Sequence, residues 1–156
     1  MIVAHEHESI LGRFISYPLL AADLFGESSM AAIASRHTNA RSRYFEADEI
    51  VVKSGDHPLI VVLLQGRARL SIFNHIDNKM LTTEFSSDQI VGVSETLANH
   101  SLEFSVKTIT PCKFYLIAPD NFIGLLAKKP EICFRLFELL SGQLHASYQT
   151  FSSTEF

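Results

Sequence analysis

The 156-residue sequence has no tryptophan and two cysteines, and it has no apolar run long enough to span a bilayer. Cys112 and Cys133 lie in apolar surroundings without metal-ligand spacing, which predicts reduced core thiols rather than a disulfide framework or a zinc site. The first residues lack the basic and apolar regions of a secretory signal, so we expect a cytoplasmic protein. A net charge of −4 argues against a surface made for nucleic acid, whose affinity comes mostly from phosphate neutralisation.

The spacing of apolar residues divides the chain into three consecutive parts. Residues 1–43 carry helical spacing and predict an N-terminal helical segment. Over residues 44–119, about seven short β-type runs are separated by turn signals, which predicts a β-roll. Residues 120–156 predict two helices that close the roll, the first capped by Asp120 and the second beginning at Pro130. The fold class is therefore mainly β with flanking helices: one domain built on a jelly-roll or cupin-like β-roll.

The long C-terminal helix is apolar on more than one side. Ile132, Leu136 and Leu139 form one stripe, which is expected to dock on the roll. A second stripe has heptad-like spacing and comprises Phe137, Leu140, Leu144, Ser147 and Phe151. A second copy of the chain would cover this stripe, so we predict a homodimer; a membrane surface or local folding-back are the alternatives.

Four motifs then occur in a recognisable order: "VVKSGD", "LLQGRARL", "QIVGVSETL" and "NFIGLLAKKPEICFRLFELLSGQL". Together they make residues 44–148 resemble the cyclic nucleotide-binding domain family, the sensor half of catabolite-activator-type regulators. The resemblance implies a β-roll with a regulatory rather than catalytic function. It also implies a phosphate-binding cassette, in which Gly-Glu opens the site and an arginine follows about ten residues later.

The cassette of this chain departs from the family pattern at its charged positions. Gly92 is kept, but Val93 replaces the glutamate that takes the ribose hydroxyl, and the nearest carboxylate is Glu95. Leu102 stands where the phosphate-binding arginine belongs. The candidate binding residues are Gly92, Val93, Ser94, Glu95, Thr96, Leu102, Glu103 and Phe104. A charge-assisted pair contributes about 1.5–3 kcal/mol and micromolar binding totals about 8 kcal/mol, so we expect a degenerate site that holds no cofactor and does not bind cyclic AMP or GMP in the usual way.

The preferred hypothesis is a non-enzymatic sensor or adaptor domain that forms a homodimer and contacts a partner protein, without a membrane. One alternative is a cyclic-nucleotide sensor with a rearranged cassette, in which Glu95 takes the ribose and backbone N–H groups of 92–96 carry the phosphate. Another is the sensor half of a transcription regulator. The family's helix-turn-helix domain does not follow before Phe156, so direct DNA binding is not expected if the chain is complete. A cupin-type metalloenzyme is a third alternative, although the His-x-His motif, His5-Glu-His7, lies outside the β pattern and no metal site is expected.

Overall fold

The computed structural model describes residues 18–25, 41–74 and 78–154. Within these ranges the chain forms nine strands and four helices. The strands are β1 (Leu19–Leu20), β2 (Arg41–Phe45), β3 (Ile50–Val52), β4 (Ile60–Gln65), β5 (Ala68–Asn74), β6 (Lys79–Phe85), β7 (Gln89–Val91), β8 (Phe104–Thr108) and β9 (Cys112–Ile117). The helices are α1 (Ala21–Phe25), α2 (Val93–Ala98), α3 (Pro119–Lys128) and α4 (Pro130–Thr154).

The strands form two antiparallel sheets that face each other. One sheet has the order β1-β7-β4-β9-β2 and the other has the order β3-β8-β5-β6. The longest pairing joins β5 to β6 from Ala68 opposite Phe85 to Asn74 opposite Lys79. This arrangement confirms the predicted β-roll with flanking helices.

Two apolar clusters hold the fold together, and β4 contributes to both. Its sequence "IVVLLQ" is a nearly continuous apolar run, because both faces of the strand are buried. Val61 and Leu63 face the interior between the two sheets. Ile60 and Val62 belong to the second cluster, which lies between the outer face of the first sheet and the helices. Strand β4 is therefore buried on both faces.

Strand β5 alternates between the interior and solvent, as its sequence predicts. Ala68 and Leu70 are fully buried in the interior cluster. Arg67 and Arg69 lie on the exposed side, and the guanidinium of Arg67 forms an exposed ion pair with Glu84 of the neighbouring strand. The two arginines are thus solvated residues of the outer face.

Helices α3 and α4 cover the outer face of the first sheet. Phe122 and Leu125 of α3 are fully buried against it, and Ile132 and Leu136 of α4 belong to the same cluster. Leu139 is half-buried there, so the first apolar stripe docks on the roll, as predicted. In the part of the chain that the structure describes, no helix is long and apolar enough to cross a membrane.

Several local predictions need correction. Strand β2 begins at Arg41, so strand structure starts before residue 44. The N-cap of α3 is Ala118, followed by Pro119 at the first helical position; Asp120 was predicted as the cap but lies inside the first turn, because the proline is already suited to start the helix. Cys133 is exposed rather than in the core.

Residues 1–43 were predicted as a helical segment, but their described parts contain the strand β1 and the start of β2 besides helix α1. Most of the predicted helical segment 1–43 lies outside the described residues. The division of the chain at residues 43 and 119 stays a prediction. Cys112, in contrast, is buried as predicted, and its Sγ donates to the carbonyl oxygens of Arg67 and Thr110 at 3.2 and 3.1 Å.

Candidate functional site

A tight turn at Gly92 opens the candidate site. The glycine has φ 96°, and a Cβ placed on it would overlap the carbonyl oxygen of Leu59. Both constraints restrict the position to glycine. Helix α2 begins at the next residue and ends before Asn99, which is also left-handed with φ 56°. The short helix is therefore bounded on both sides by left-handed residues.

The other side of the site is held by the β3 turn, the "KSGD" motif of residues 53–56. Gly55 donates its N–H to the carbonyl of Leu102 at 2.8 Å, and Leu102 donates its own N–H to the carbonyl of Asp56 at 2.9 Å. The backbone N–H of Ser54 also donates to Ser105 Oγ at 3.0 Å. This reciprocal pairing fixes the backbone that enters β8.

Leu102 and Phe104 point into the roll. Their exposed fractions are 1% and 0%, and both belong to the interior cluster. The rings of Phe85 and Phe114 in the same cluster are also fully buried, with their centroids 6.3 Å apart. Apolar side chains therefore fill the interior beside the cassette. One of them, Leu102, stands at the position where the resemblance would place an arginine.

Glu103 lies between these two residues and points the other way. It lies in the bend just before β8, and its side chain is exposed. An exposed carboxylate is screened by water, so Glu103 exerts little repulsion on a phosphate bound inside the roll. Lys107 is exposed as well, so its ammonium group does not lie inside the roll at the place of the missing cation.

The negative group that is buried is Glu95. Its side chain is 1% exposed, and that of the following Thr96 is 3% exposed. Glu95 Oε2 and Thr96 Oγ1 have no hydrogen-bond partner among the described residues. Burial raises the pKa of Glu95 to about 7, although the backbone N–H groups of Glu95 and Glu103 act in the opposite direction. The exposed Glu103 carboxylate raises this pKa further and His100 lowers it.

The remaining cassette residues take different environments. Val93 is 4% exposed and packs in the cluster beneath the helices. Ser94 is half-buried. The structure thus buries Gly92, Glu95, Thr96, Leu102 and Phe104, and it places Val93 in the cluster beneath the helices. Sequence reasoning had left the direction of Glu95 open.

Two interior aromatics, Phe85 and Phe114, were not singled out from the sequence. Phe114 follows the same alternation as Cys112 in "CKFYLI", where Cys112 and Phe114 are buried and Lys113 and Tyr115 are half-buried. Phe85 ends a strand whose other residues are exposed or half-buried. The pattern of this strand therefore gave little indication that the Phe85 side chain points into the interior. Thr96 was named, but its burial without a partner has no signature in the sequence.

The predicted dimer stripe is described only in part. Phe137 is 68% exposed, whereas Leu140 is half-buried against the cluster beneath the helices. Leu144, Ser147 and Phe151 lie outside the described side chains. Phe134, one turn before Phe137 and not part of the predicted stripe, is 64% exposed.

Histidines do not assemble a metal site in the part of the chain that is described. His57 and His100 are exposed, and the His100 ring lies 2.9 Å from the carbonyl oxygen of Ser101. No group of three His, Cys, Asp or Glu side chains suited to a metal ion occurs within the described ranges. His5 and His7, the motif considered for a cupin-type site, lie outside them.

Sequence comparison identifies a family. The model of the cyclic nucleotide-binding domain matches residues 42–129, which include the Gly92 turn, helix α2 and strand β8. A comparison with curated proteins finds no match.

Solved structures share the fold at low sequence identity. The catabolite activator protein of Thermus thermophilus superimposes with a TM-score of 0.71 and 14% identity over 85% of this chain. The sensor domain of the transcriptional regulator DNR from Pseudomonas aeruginosa gives 0.64 and 12% over 79% of this chain and 88% of its own. The c-di-GMP-responsive global regulator CLP of Xanthomonas campestris gives 0.57 and 20% over 78% of this chain. The present chain spans 63% of the Thermus and Xanthomonas proteins.

Proposed function

Because the chain belongs to the cyclic nucleotide-binding domain family, we propose that it is a non-enzymatic regulatory sensor or adaptor domain that does not bind cyclic AMP or GMP in the usual way. It acts through contacts with other proteins. The observation that carries this proposal is the interior position of Leu102, which is 1% exposed where the family pattern has an arginine. The cytoplasmic location stays a prediction.

The energetic argument compares what the site offers with what a cyclic phosphate requires. An arginine pair supplies about 1.5–3 kcal/mol, and Leu102 supplies none of it. Phe104 is fully buried in the same interior, so a sugar would have to displace its ring from a packed cluster. The buried carboxyl of Glu95, when ionised, adds repulsion in a region of low polarity.

Calorimetric titration tests the proposal directly. Cyclic AMP, cyclic GMP and cyclic di-GMP should each give no saturable heat at concentrations up to about 100 μM, which corresponds to affinities weaker than about 5.5 kcal/mol. The third ligand is included because a structural neighbour is described as responsive to it. A Kd in the low micromolar range for cyclic AMP would overturn the proposal.

A second candidate is the sensor with a rearranged cassette, favoured by the burial of Glu95. In this arrangement the protonated or ionised carboxyl takes the ribose hydroxyls. If nucleotide binding is found, Glu95→Ala should abolish it, whereas Glu84→Ala on the exposed outer face should leave it unchanged. Binding that survives in both variants would exclude the rearranged cassette.

The proposed protein contacts include a second copy of the chain. Phe134 and Phe137 expose two aromatic rings one helical turn apart, which is a costly arrangement in water unless another surface covers it. Light scattering should give a dimer mass for the wild-type chain and a monomer mass for Phe134→Glu with Phe137→Glu. Tyr44→Glu, at an exposed aromatic of strand β2, is the matched control and should remain dimeric; a wild-type monomer would refute this part.

A further inference from the structure

Of the acidic side chains that the structure describes, only that of Glu95 is buried. One of its carboxyl oxygens, Oε2, lacks a partner within the described residues. A buried ionised carboxylate with an unsatisfied oxygen is strongly unfavourable, whereas the neutral acid is far less so. Helix α2 therefore carries a group whose protonation state affects how well the helix packs.

The contacts of Glu95 connect α2 to the segment that follows it. Its carboxyl interacts with the backbone N–H of Glu103, and its backbone carbonyl accepts the N–H of His100 at 3.1 Å. The same residue thus holds both ends of the connection between α2 and β8. Burial opposes ionisation of this carboxyl and raises the pKa of Glu95 by more than the N–H of Glu103, which favours the carboxylate, lowers it.

Among the described residues, the charged groups that act on Glu95 or flank its connection to β8 are exposed. Glu103 and His100 come from the connection itself. The β3 turn, which pairs with Leu102, carries the exposed Lys53 and Asp56, and the Asp56 carboxylate accepts the backbone N–H of Lys53 at 2.9 Å. Since none of these charges enters the buried region, the proton is the available means of neutralising the Glu95 carboxyl.

The backbone at both ends of α2 is suited to movement. Gly92 and Asn99 have φ 96° and 56°. Glycine adopts this region freely, whereas a non-glycine residue persists there only where its surroundings enforce it. For Asn99 the enforcing contacts are the turn hydrogen bonds that end the helix, including its N–H to the carbonyl of Thr96 at 3.3 Å. Helix α2 thus has a left-handed residue on each side, and these are the two positions at which its backbone could pivot relative to the roll.

We propose that Glu95 is a proton-dependent latch of the cassette: the neutral carboxyl holds helix α2 and residues 99–103 against the roll, and the ionised carboxyl releases them. The biological meaning of the latch rests on the proposed regulatory function, in which exposure of this segment changes contact with a partner. The titration of Glu95 itself does not depend on nucleotide binding.

The direction of the pH dependence follows from the raised pKa of Glu95. The group has a pKa of about 7 when closed and an ordinary value near 4.3 when open to water. The closed state is therefore favoured fully below about pH 4.5 and progressively less as the pH rises toward 7, after which the effect levels off. Between about pH 5.5 and pH 8 the open population should rise by roughly 25-fold.

Hydrogen exchange measured by mass spectrometry tests the latch on the whole chain. After correction for the intrinsic pH dependence of exchange, protection of the peptide covering residues 92–104 should fall by roughly 25-fold from about pH 5.5 to pH 8. Glu95→Gln, which is neutral at every pH, should remove this dependence. Glu84→Gln, at an exposed carboxyl on β6, should retain it. Equal pH dependence in the wild type and in Glu95→Gln would overturn the proposal.

A second measurement uses the wild-type chain, so that it does not depend on whether the Glu95→Gln variant folds. Carbon-13 NMR of the Glu95 side-chain carboxyl in the wild-type chain should show a titration midpoint near pH 7. Glu103→Gln removes the neighbouring negative charge and should lower this midpoint, and a midpoint near pH 4.5 in the wild type would refute the latch. Calorimetry with nucleotide decides the proposed function separately, so the two failures are distinguishable.

Discussion

Replacing Phe104 by alanine removes a ring from the interior of the roll, at the point where β8 follows the cassette. The side chain is fully buried, and across the sheet it is paired with Ile72 of β5. Because the backbone on both sides is fixed by strand pairing, the surrounding side chains can collapse only partly into the space left behind. The substitution should therefore leave a cavity.

The expected cost combines lost burial with the cavity. Truncation of a buried phenylalanine to alanine destabilises by about 3–5 kcal/mol. For a domain of this size, 1 kcal/mol corresponds to about 2–4 °C in Tm, so the melting temperature should fall by about 10 °C. Met80→Ala is a suitable control, because Met80 is 58% exposed on the second sheet and its truncation should change stability by less than about 0.5 kcal/mol.

Urea unfolding followed by far-ultraviolet circular dichroism measures both variants, since the chain has no tryptophan to report by fluorescence. The midpoint should shift for Phe104→Ala with an unchanged m-value. A loss below about 1 kcal/mol would refute the view that the ring fills the interior. It would also remove the steric part of the argument against a bound sugar.

Three further outcomes test other parts of the structure. Gly92→Ala should destabilise the fold by more than about 2 kcal/mol in the same assay, because the added Cβ overlaps the carbonyl oxygen of Leu59; an unchanged midpoint would contradict the described turn. In the folded chain a thiol reagent should modify the exposed Cys133 and spare the buried Cys112, and both should react after unfolding; equal rates in the folded chain would contradict these burials. Leu102→Arg alone should lower stability without producing micromolar cyclic AMP binding by calorimetry, since the interior phenylalanines remain; tight binding would show that the missing cation is the whole defect.

The architecture of the roll could be predicted because apolar residues recur along its strands in regular patterns. The continuous apolar run of β4 and the alternation of β5 each give the buried face directly. The helix ends were less predictable, since Ala118 and Pro119 compete with Asp120 for the start of α3. The environment of Cys133 was missed because α4 is apolar on several faces and only one of them docks on the roll.

Part of the candidate site could be predicted and part could not. Alternation along β8 places Phe104 and Val106 inside, and both are fully buried. Leu102 and Glu103 precede the strand; the first is buried and the second is exposed. The inward direction of the Glu95 side chain depends on the six-residue length of α2 and on the left-handed residue Asn99 that ends it. Neither feature can be read from the spacing of apolar residues in the sequence.

The burial of Glu95 also separates two reasons why a cyclic phosphate would be rejected. With a pKa of about 7, the carboxyl is mostly neutral near pH 5.5 and mostly ionised near pH 8. Repulsion of a cyclic phosphate by the Glu95 carboxylate should therefore weaken in acid. The steric exclusion by the ring of Phe104 and the lack of a cation at Leu102 do not change with pH. We expect cyclic AMP to show no micromolar affinity at either pH, measured by calorimetry in buffers of equal ionic strength. Binding that appears only at the lower pH, and that persists at the higher pH in Glu95→Gln, would instead make the proton on Glu95 the determinant of ligand entry.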